Sequence, residues 1–194
     1  MPKESTRVSR KQERHQQLAQ ETRKRRLMII VPTIIVIVLL GTFAVIRLRP
    51  VAGTSSFGAQ ERGHDAGTTF TSTSRPPVGG DHNPQFQNCG IYTQPVNTSL
   101  VVHSMEHGAV WITYRPDLPS DDVAALQNLV RGETYTLLSP YPGLDSDVVA
   151  TAWGVQLAPD SVTDERLEQF INRYRGGGPE PGAPCSGGVS APLQ

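Results

Sequence analysis

The chain has 194 residues, and its 18 basic and 18 acidic side chains leave no formal net charge. The balance is uneven: residues 1–26 carry nine Lys or Arg against three Glu, a net of +6, whereas residues 51–194 carry seven Arg and fifteen Asp or Glu, a net of −8. An acidic region with no basic stripe excludes the usual nucleic-acid binders, whose affinity comes largely from neutralising phosphates.

Leu27 to Ile46 is an uncharged run of 20 residues rich in Ile, Val and Leu. As a helix it spans roughly 30 Å, one hydrocarbon core, so it reads as a transmembrane helix whose first partner is the lipid bilayer. Residues 1–26 form a basic tail that the positive-inside bias keeps in the cytoplasm, where it also rests on anionic inner-leaflet lipid. Everything after Ile46 is then extracytoplasmic, giving a single-pass cell-membrane protein. A cleaved signal peptide is the rival reading, but its apolar core would run about 7 to 15 residues to a small-x-small site. The run here is longer and is followed by Arg47-Leu48-Arg49-Pro50. Pro32 is expected in the first turns of the helix, where its missing N–H matters least.

Residues 47–75 are rich in Gly, Ser and Thr and read as a linker too polar to bury a core. Arg75-Pro76-Pro77-Val78-Gly79-Gly80-Asp81-His82 is punctuation, a stiff diproline followed by glycines that permit a sharp turn. A folded domain is expected over 76–175, about a hundred residues and one small core. Within it Leu100 to His103 and Ala109 to Tyr114 read as strands, the second alternating Val110, Ile112 and Tyr114 against Ala109, Trp111 and Thr113. Pro119-Ser120-Asp121-Asp122 opens a helix through about Arg131, its acidic pair reading as capping and not as a catalytic dyad. Glu133 to Leu138 and Asp147 to Leu157 read as two more strands around the Pro140-Tyr141-Pro142-Gly143 turn. A last helix, Thr163 to Tyr174, puts Leu167, Phe170, Ile171 and Tyr174 on one face. Residues 176–194 form a Gly/Pro-rich tail. The predicted fold class is therefore α+β, a small two-layer domain with a mainly antiparallel sheet and two helices, preceded by one transmembrane helix.

Cys89 and Cys185 both lie on the side expected to be oxidising, which predicts a disulfide tying the tail back to the domain. Cys89 as a metal thiolate is the alternative. Tyr92, Tyr114, Trp111 and Trp153 are expected in the core more than along a ligand groove.

The chemistry concentrates in Val101-Val102-His103-Ser104-Met105-Glu106-His107-Gly108. With His82 and His64 upstream, neutral imidazoles and the Glu106 carboxylate suit zinc or cupric copper, and addition of Met105 shifts the set toward cuprous copper. The block is expected to be the loop or bulge of a hairpin, with His103 and His107 ending two strands and facing one site. Glu106 paired with Arg75 or Arg115 as an ordinary ion pair, and Met105 as a core filler, are the bland alternatives. The string His103-x-x-Glu106-His107 also fits inverted zinc proteases, but that chemistry needs a helix, and the flanking runs read as strand.

With Pro76-Pro77, Gly80-x-His82, Gly90-x-Tyr92, Pro95 and the block at 102–108, then Thr151-Ala152-Trp153-Gly154 and Phe170-Ile171-x-x-Tyr174, the chain resembles the bacterial membrane-anchored family known as domain of unknown function 3105. The likeness runs from about His64 to Tyr174. Members usually show a His, a Pro-Pro-x-Ser-Gly-x-His segment and a His-Asn-Leu-Glu-His-Gly block, matched by His64, His82 and residues 103–108. Ser104-Met105 replaces the usual Asn-Leu, and Val78-Gly79-Gly80 alters the diproline segment. The resemblance supports the boundaries and the histidine set and implies no particular reaction. Metal handling or sensing through His103, His107, His82, His64, Met105 and Glu106 is thus the leading reading. A cell-envelope interaction module that docks another membrane protein, with structural histidines, competes with it. An enzyme is a third reading, and it would need an open coordination position and a substrate pocket.

Overall fold

The computed structural model describes residues 3–71 and 74–193, with backbone alone for 3–20, 44 and 46–48. Residues 72 and 73 of the expected linker lie outside the described residues. The chain divides into two compact units, Met1–Arg49 and Pro50–Gln194.

The first unit is one helix, α1 (Lys3–Leu48), and its segment Glu21–Phe43 is long and apolar enough to cross a membrane. Because the Lys-, Arg- and Gln-rich residues before the apolar run are good helix formers that extend the helix back to Lys3, Pro32 sits in the interior and not in the first turns. There it withholds one N–H from the ladder. The span's hydroxyls satisfy themselves within the helix: Thr33 Oγ1 donates to Ile29 O at 2.8 Å and Thr42 Oγ1 to Val38 O at 2.9 Å.

The second unit is α+β. Its elements are β1 (Ser55–Ser56), β2 (Gly90–Ile91), α2 (Thr98–Glu106), β3 (Val110–Tyr114), α3 (Ser120–Val130), β4 (Thr136–Pro140), β5 (Val148–Ala152), β6 (Val155–Leu157) and α4 (Glu165–Tyr174). Among the described residues the strands form one six-stranded mixed sheet in the order β1-β6-β5-β3-β4-β2. The β1/β6, β6/β5 and β5/β3 pairs are antiparallel, and β3/β4 and β4/β2 are parallel.

The parallel half explains where the helices lie. The chain passes from β2 over β4 to β3 through α2, then returns to β4 through α3. Right-handed crossovers made in opposite directions place their helices on opposite faces. Val110, Ile112 and Tyr114 accordingly pack on one face with Leu126 and Val130 of α3 and with Leu167, Phe170 and Ile171 of α4. Trp111, Leu137 and Val149 face the other way, against Val101, Val102 and Met105 of α2. The two expected helices share a face, and α2 adds a further layer on the other side.

Two expected strands are corrected. Leu100 to His103 lies inside α2, so the β-branched Val101-Val102 pair serves a helix. Asp147 to Leu157 is a hairpin, because Trp153-Gly154 turns the chain and Ala152 pairs with Val155. Trp111, Tyr92 and Tyr114 are core residues as expected, and the Trp111 indole N–H donates to Ser139 Oγ at 2.9 Å.

Phe170 is fully buried and its ring lies 4.6 Å from that of Tyr174. Phe170→Ala is expected to cost about 3–5 kcal/mol of unfolding free energy. Urea denaturation followed by tryptophan fluorescence would read it, and a loss near zero would mean that α4 does not anchor this core.

Segments expected to be linker and tail contribute to the second unit. Val51 is buried, Ser55 and Ser56 pair with Gln156 and Val155, and His64 bridges to His82. At the other end Cys185 is bonded to Cys89, the Cα atoms 5.4 Å apart, and Gln87 and Ile91 bridge to Val189 and Leu193. Closing a loop of this length contributes about 4.7 kcal/mol in the chain-entropy description.

Candidate functional site

The site is built on α2. Asn97 caps its start, its side chain accepting from Ser99 N. At its end the N–H groups of Ala109 and Gly108 donate to Ser104 O and Met105 O, at 2.8 and 2.9 Å, which is a Schellman closure. Gly108 supplies the φ of +103° that this closure needs. The helix then carries two faces. Val101, Val102 and Met105 enter the apolar core, while His103, Glu106 and His107, spaced i, i+3 and i+4, share the other side. The helix requirement denied to the His103-x-x-Glu106-His107 string on sequence is therefore met.

His82 and His64 arrive from the preceding segment. They sit side by side because Asp65 N donates to His82 O and His82 N to Gly63 O, each at 2.8 Å. The same segment is held along α2 by Asn83 N donating to Ser99 Oγ at 2.8 Å and by Ser104 Oγ donating to Gln87 O at 2.7 Å. The imidazoles stack edge to face or tilted, with centroids 4.7 Å apart for His64 and His82, 5.0 Å for His82 and His103, and 4.6 Å for His103 and His107. Trp153 lies 5.8 Å from His82, and Phe86 lies 4.7 Å from His107.

Three of the rings have a defined tautomer. Nδ1 of His82 meets Gly80 O at 2.8 Å, Nδ1 of His103 meets Asn83 O at 2.7 Å, and Nδ1 of His107 meets Pro184 O at 2.7 Å. A carbonyl only accepts, so each Nδ1 carries the hydrogen and, in the neutral ring, each Nε2 presents a lone pair. Beside His82 and His64 lies Glu106, buried to 1% exposure. Its Oε2 lies 2.9 Å from His82 Nε2 and 3.3 Å from His64 Nε2, and Arg62 Nε lies 3.7 Å from Oε1. His82 Nε2 and Glu106 Oε2 approach to 2.9 Å, but with the His82 hydrogen on Nδ1 neither atom is a donor to the other, and both buried atoms lack a hydrogen-bond partner. Two buried acceptor atoms this close and without a donor form an arrangement that a cation bound to both would stabilise and that burial alone would penalise.

The donor distances suit an ion. Metal bonds of about 2.0–2.1 Å in a tetrahedron set donor atoms roughly 3.3 Å apart, close to the Glu106 contacts. His64, His82, His103 and Glu106 bring one donor atom each within 4.8 Å of one another, and so do His103, His107 and Glu180. Glu180 Oε2 lies 3.6 Å from His107 Nε2. Burial pushes the His103 imidazole below its ordinary value, the hydrogen bond to Asn83 opposing and the neighbouring histidines reinforcing, which favours a neutral ring.

His64, His82, His103, His107 and Glu106 thus converge. Met105 lies in the apolar cluster with Trp111, away from that face. Cys89 is consumed by the disulfide. The alternative ion pairs for Glu106 are taken elsewhere: Arg75 faces Asp145, and Arg115 faces Asp117 and Asp147. Glu180 was not legible in the sequence. It reaches the site because the chain after α4 crosses the end of α2, with Gly176 N donating to Gly108 O at 2.8 Å and Glu180 N to Glu106 O at 3.0 Å.

The family model described as Protein of unknown function (DUF3105) matches residues 64–187. The chain belongs to the DUF3105 family. The matched DUF3105 span opens on His64 and closes just past Cys185, so it holds the whole His/Glu cluster, Glu180 and both cysteines. It runs beyond the expected Tyr174 limit to include the segment that crosses α2. No curated protein and no solved structure matches the chain.

Proposed function

We propose that this protein is a membrane-anchored metal-binding member of the DUF3105 family, holding one zinc or copper ion through His82, His103, Glu106 and His64 for metal handling or sensing. The observation that carries this reading is the convergence of His64, His82 and His103 with the buried Glu106 carboxylate, His82 and His103 being held by carbonyls at Nδ1, and His82 Nε2 and Glu106 Oε2 lying 2.9 Å apart with no hydrogen-bond partner. Carbonyl-oriented imidazoles are the usual outer support of metal-ligating histidines. Imidazole and carboxylate donors favour Zn²⁺ or Cu²⁺, and with Met105 in the core the softer preference for Cu⁺ weakens. Glu106 acts here as a ligand. Enclosed by His64, His82 and Arg62, it is poorly placed as the water-activating base of an inverted zinc protease.

The basic residues before the apolar span and the disulfide after it support a cytoplasmic N-terminus and an extracytoplasmic domain. A docking module would favour an exposed apolar patch. Among the described residues after Arg49, Phe57 and Leu193 are the exposed large hydrophobics, which gives that alternative little support.

The test is elemental analysis of the full-length protein, extracted in detergent without chelator. About one Zn or Cu per chain is expected, falling to background in His82→Ala/His103→Ala while the fluorescence spectrum and disulfide persist. No metal in the wild type, and no tight titration by Zn²⁺ or Cu²⁺, would overturn the reading.

A further inference from the structure

We infer that Glu180 and His107 form an outer metal station that passes a single ion to and from the buried group through His103, so that the two stations are occupied in turn and never together. The inference rests on the metal-binding reading above and adds a route to it. The two donor groups, His64/His82/His103/Glu106 and His103/His107/Glu180, share His103 alone. Its Nδ1 is committed to Asn83 O at 2.7 Å, leaving one lone pair at Nε2. One lone pair binds one ion, so His103 cannot serve both stations at once, and an ion taking it at one station leaves the other a ligand short, which makes exchange between them natural.

Burial gives the exchange a direction. His82 and Glu106 are 0% and 1% exposed, whereas the Glu180 side chain is 44% exposed. His107 stands between, its ring edge-on to His103 at 4.6 Å with its own Nε2 fixed outward by Pro184. Glu180 is anchored by its backbone N–H on Glu106 O, so its carboxylate can move while its Cα stays beside the site. The ion thus exchanges water for carboxylate and imidazole ligands stepwise, instead of shedding its hydration shell at once. His64, 40% exposed, borders the buried group as well, and a route through it would bypass Glu180.

The experiment uses full-length protein in detergent with Cu²⁺ as probe. Integrated electron paramagnetic resonance is expected to saturate at about one spin per chain. In Glu180→Gln the stoichiometry and equilibrium affinity are expected to hold, while loading by Cu²⁺ and removal by EDTA both slow by the same factor, about tenfold. Equal slowing follows because an on-path station empty at equilibrium changes the barrier and not the end states. A second, spin-coupled copper per chain, or rates in Glu180→Gln equal to wild type, would overturn the relay and leave the buried site standing. Wild-type protein that binds no Cu²⁺ would overturn both.

Discussion

Replacing His103 with alanine is expected to weaken metal binding by at least about 10²-fold, beyond the 10–100-fold typical of losing an outer-sphere partner. His103 belongs to both donor groups, so no station survives intact. His107→Ala removes an outer ligand alone and is expected to leave equilibrium affinity within about tenfold of wild type. Thermal melts give an independent readout. Ligand at about a hundred times its dissociation constant stabilises the folded state by about 2.7 kcal/mol. For a domain of this size that raises the melting temperature by roughly 5–10 °C. The wild type and His107→Ala should show that rise on adding Zn²⁺, and His103→Ala should not. Equal losses in the two variants would mean that the buried group is not the equilibrium site.

The second large effect is expected at Gly178, where the chain after α4 crosses the end of α2. A Cβ there would lie 2.7 Å from Met105 O and closer still to Glu106 O and Gly108 N, all backbone atoms that cannot rotate away. Gly178→Ala is expected to cost about 3 kcal/mol, the upper end for overpacking. Gly182 is the useful contrast. Its φ is +85° but a Cβ would meet nothing within 4 Å, so Gly182→Ala carries only the backbone penalty of about 1–2 kcal/mol. Urea titration of both would separate space from conformation. A Gly178→Ala protein as stable as wild type would show that the crossing is not closely packed in solution.

What the sequence makes legible, and what it hides, follows from how far each signal reaches along the chain. The apolar run, β3 with its alternating pattern, and α3 and α4 with their helical spacing are local signals, and for β3, α3 and α4 the expected boundaries lie close to those observed, whereas the helix through the apolar run begins far earlier, at Lys3. Both cysteines needed only their compartment. α2 is hidden because Val101-Val102 and the nearby Gly108 mimic a strand ending in a turn. The corrective signals were present: Asn97 as N-cap, Gly108 as the residue after the helix, and Val101, Val102 and Met105 at helical spacing. With α2 in hand, His103, Glu106 and His107 at i, i+3 and i+4 would have shared one face from the start. Ser55-Ser56 and Glu180 had no such signal. Their places depend on contacts with residues about a hundred and about seventy positions away, and pairing of that range leaves no local pattern.

The carbonyl that orients His107 comes from Pro184, beside the cysteine that closes the disulfide near the end of the chain. The outermost ring is therefore aimed by a segment held through a covalent cross-link, whereas His82 and His103 are aimed by Gly80 and Asn83, which precede α2 in the chain. Reducing the Cys89–Cys185 bond would loosen the support of His107 and leave the two buried rings oriented as before.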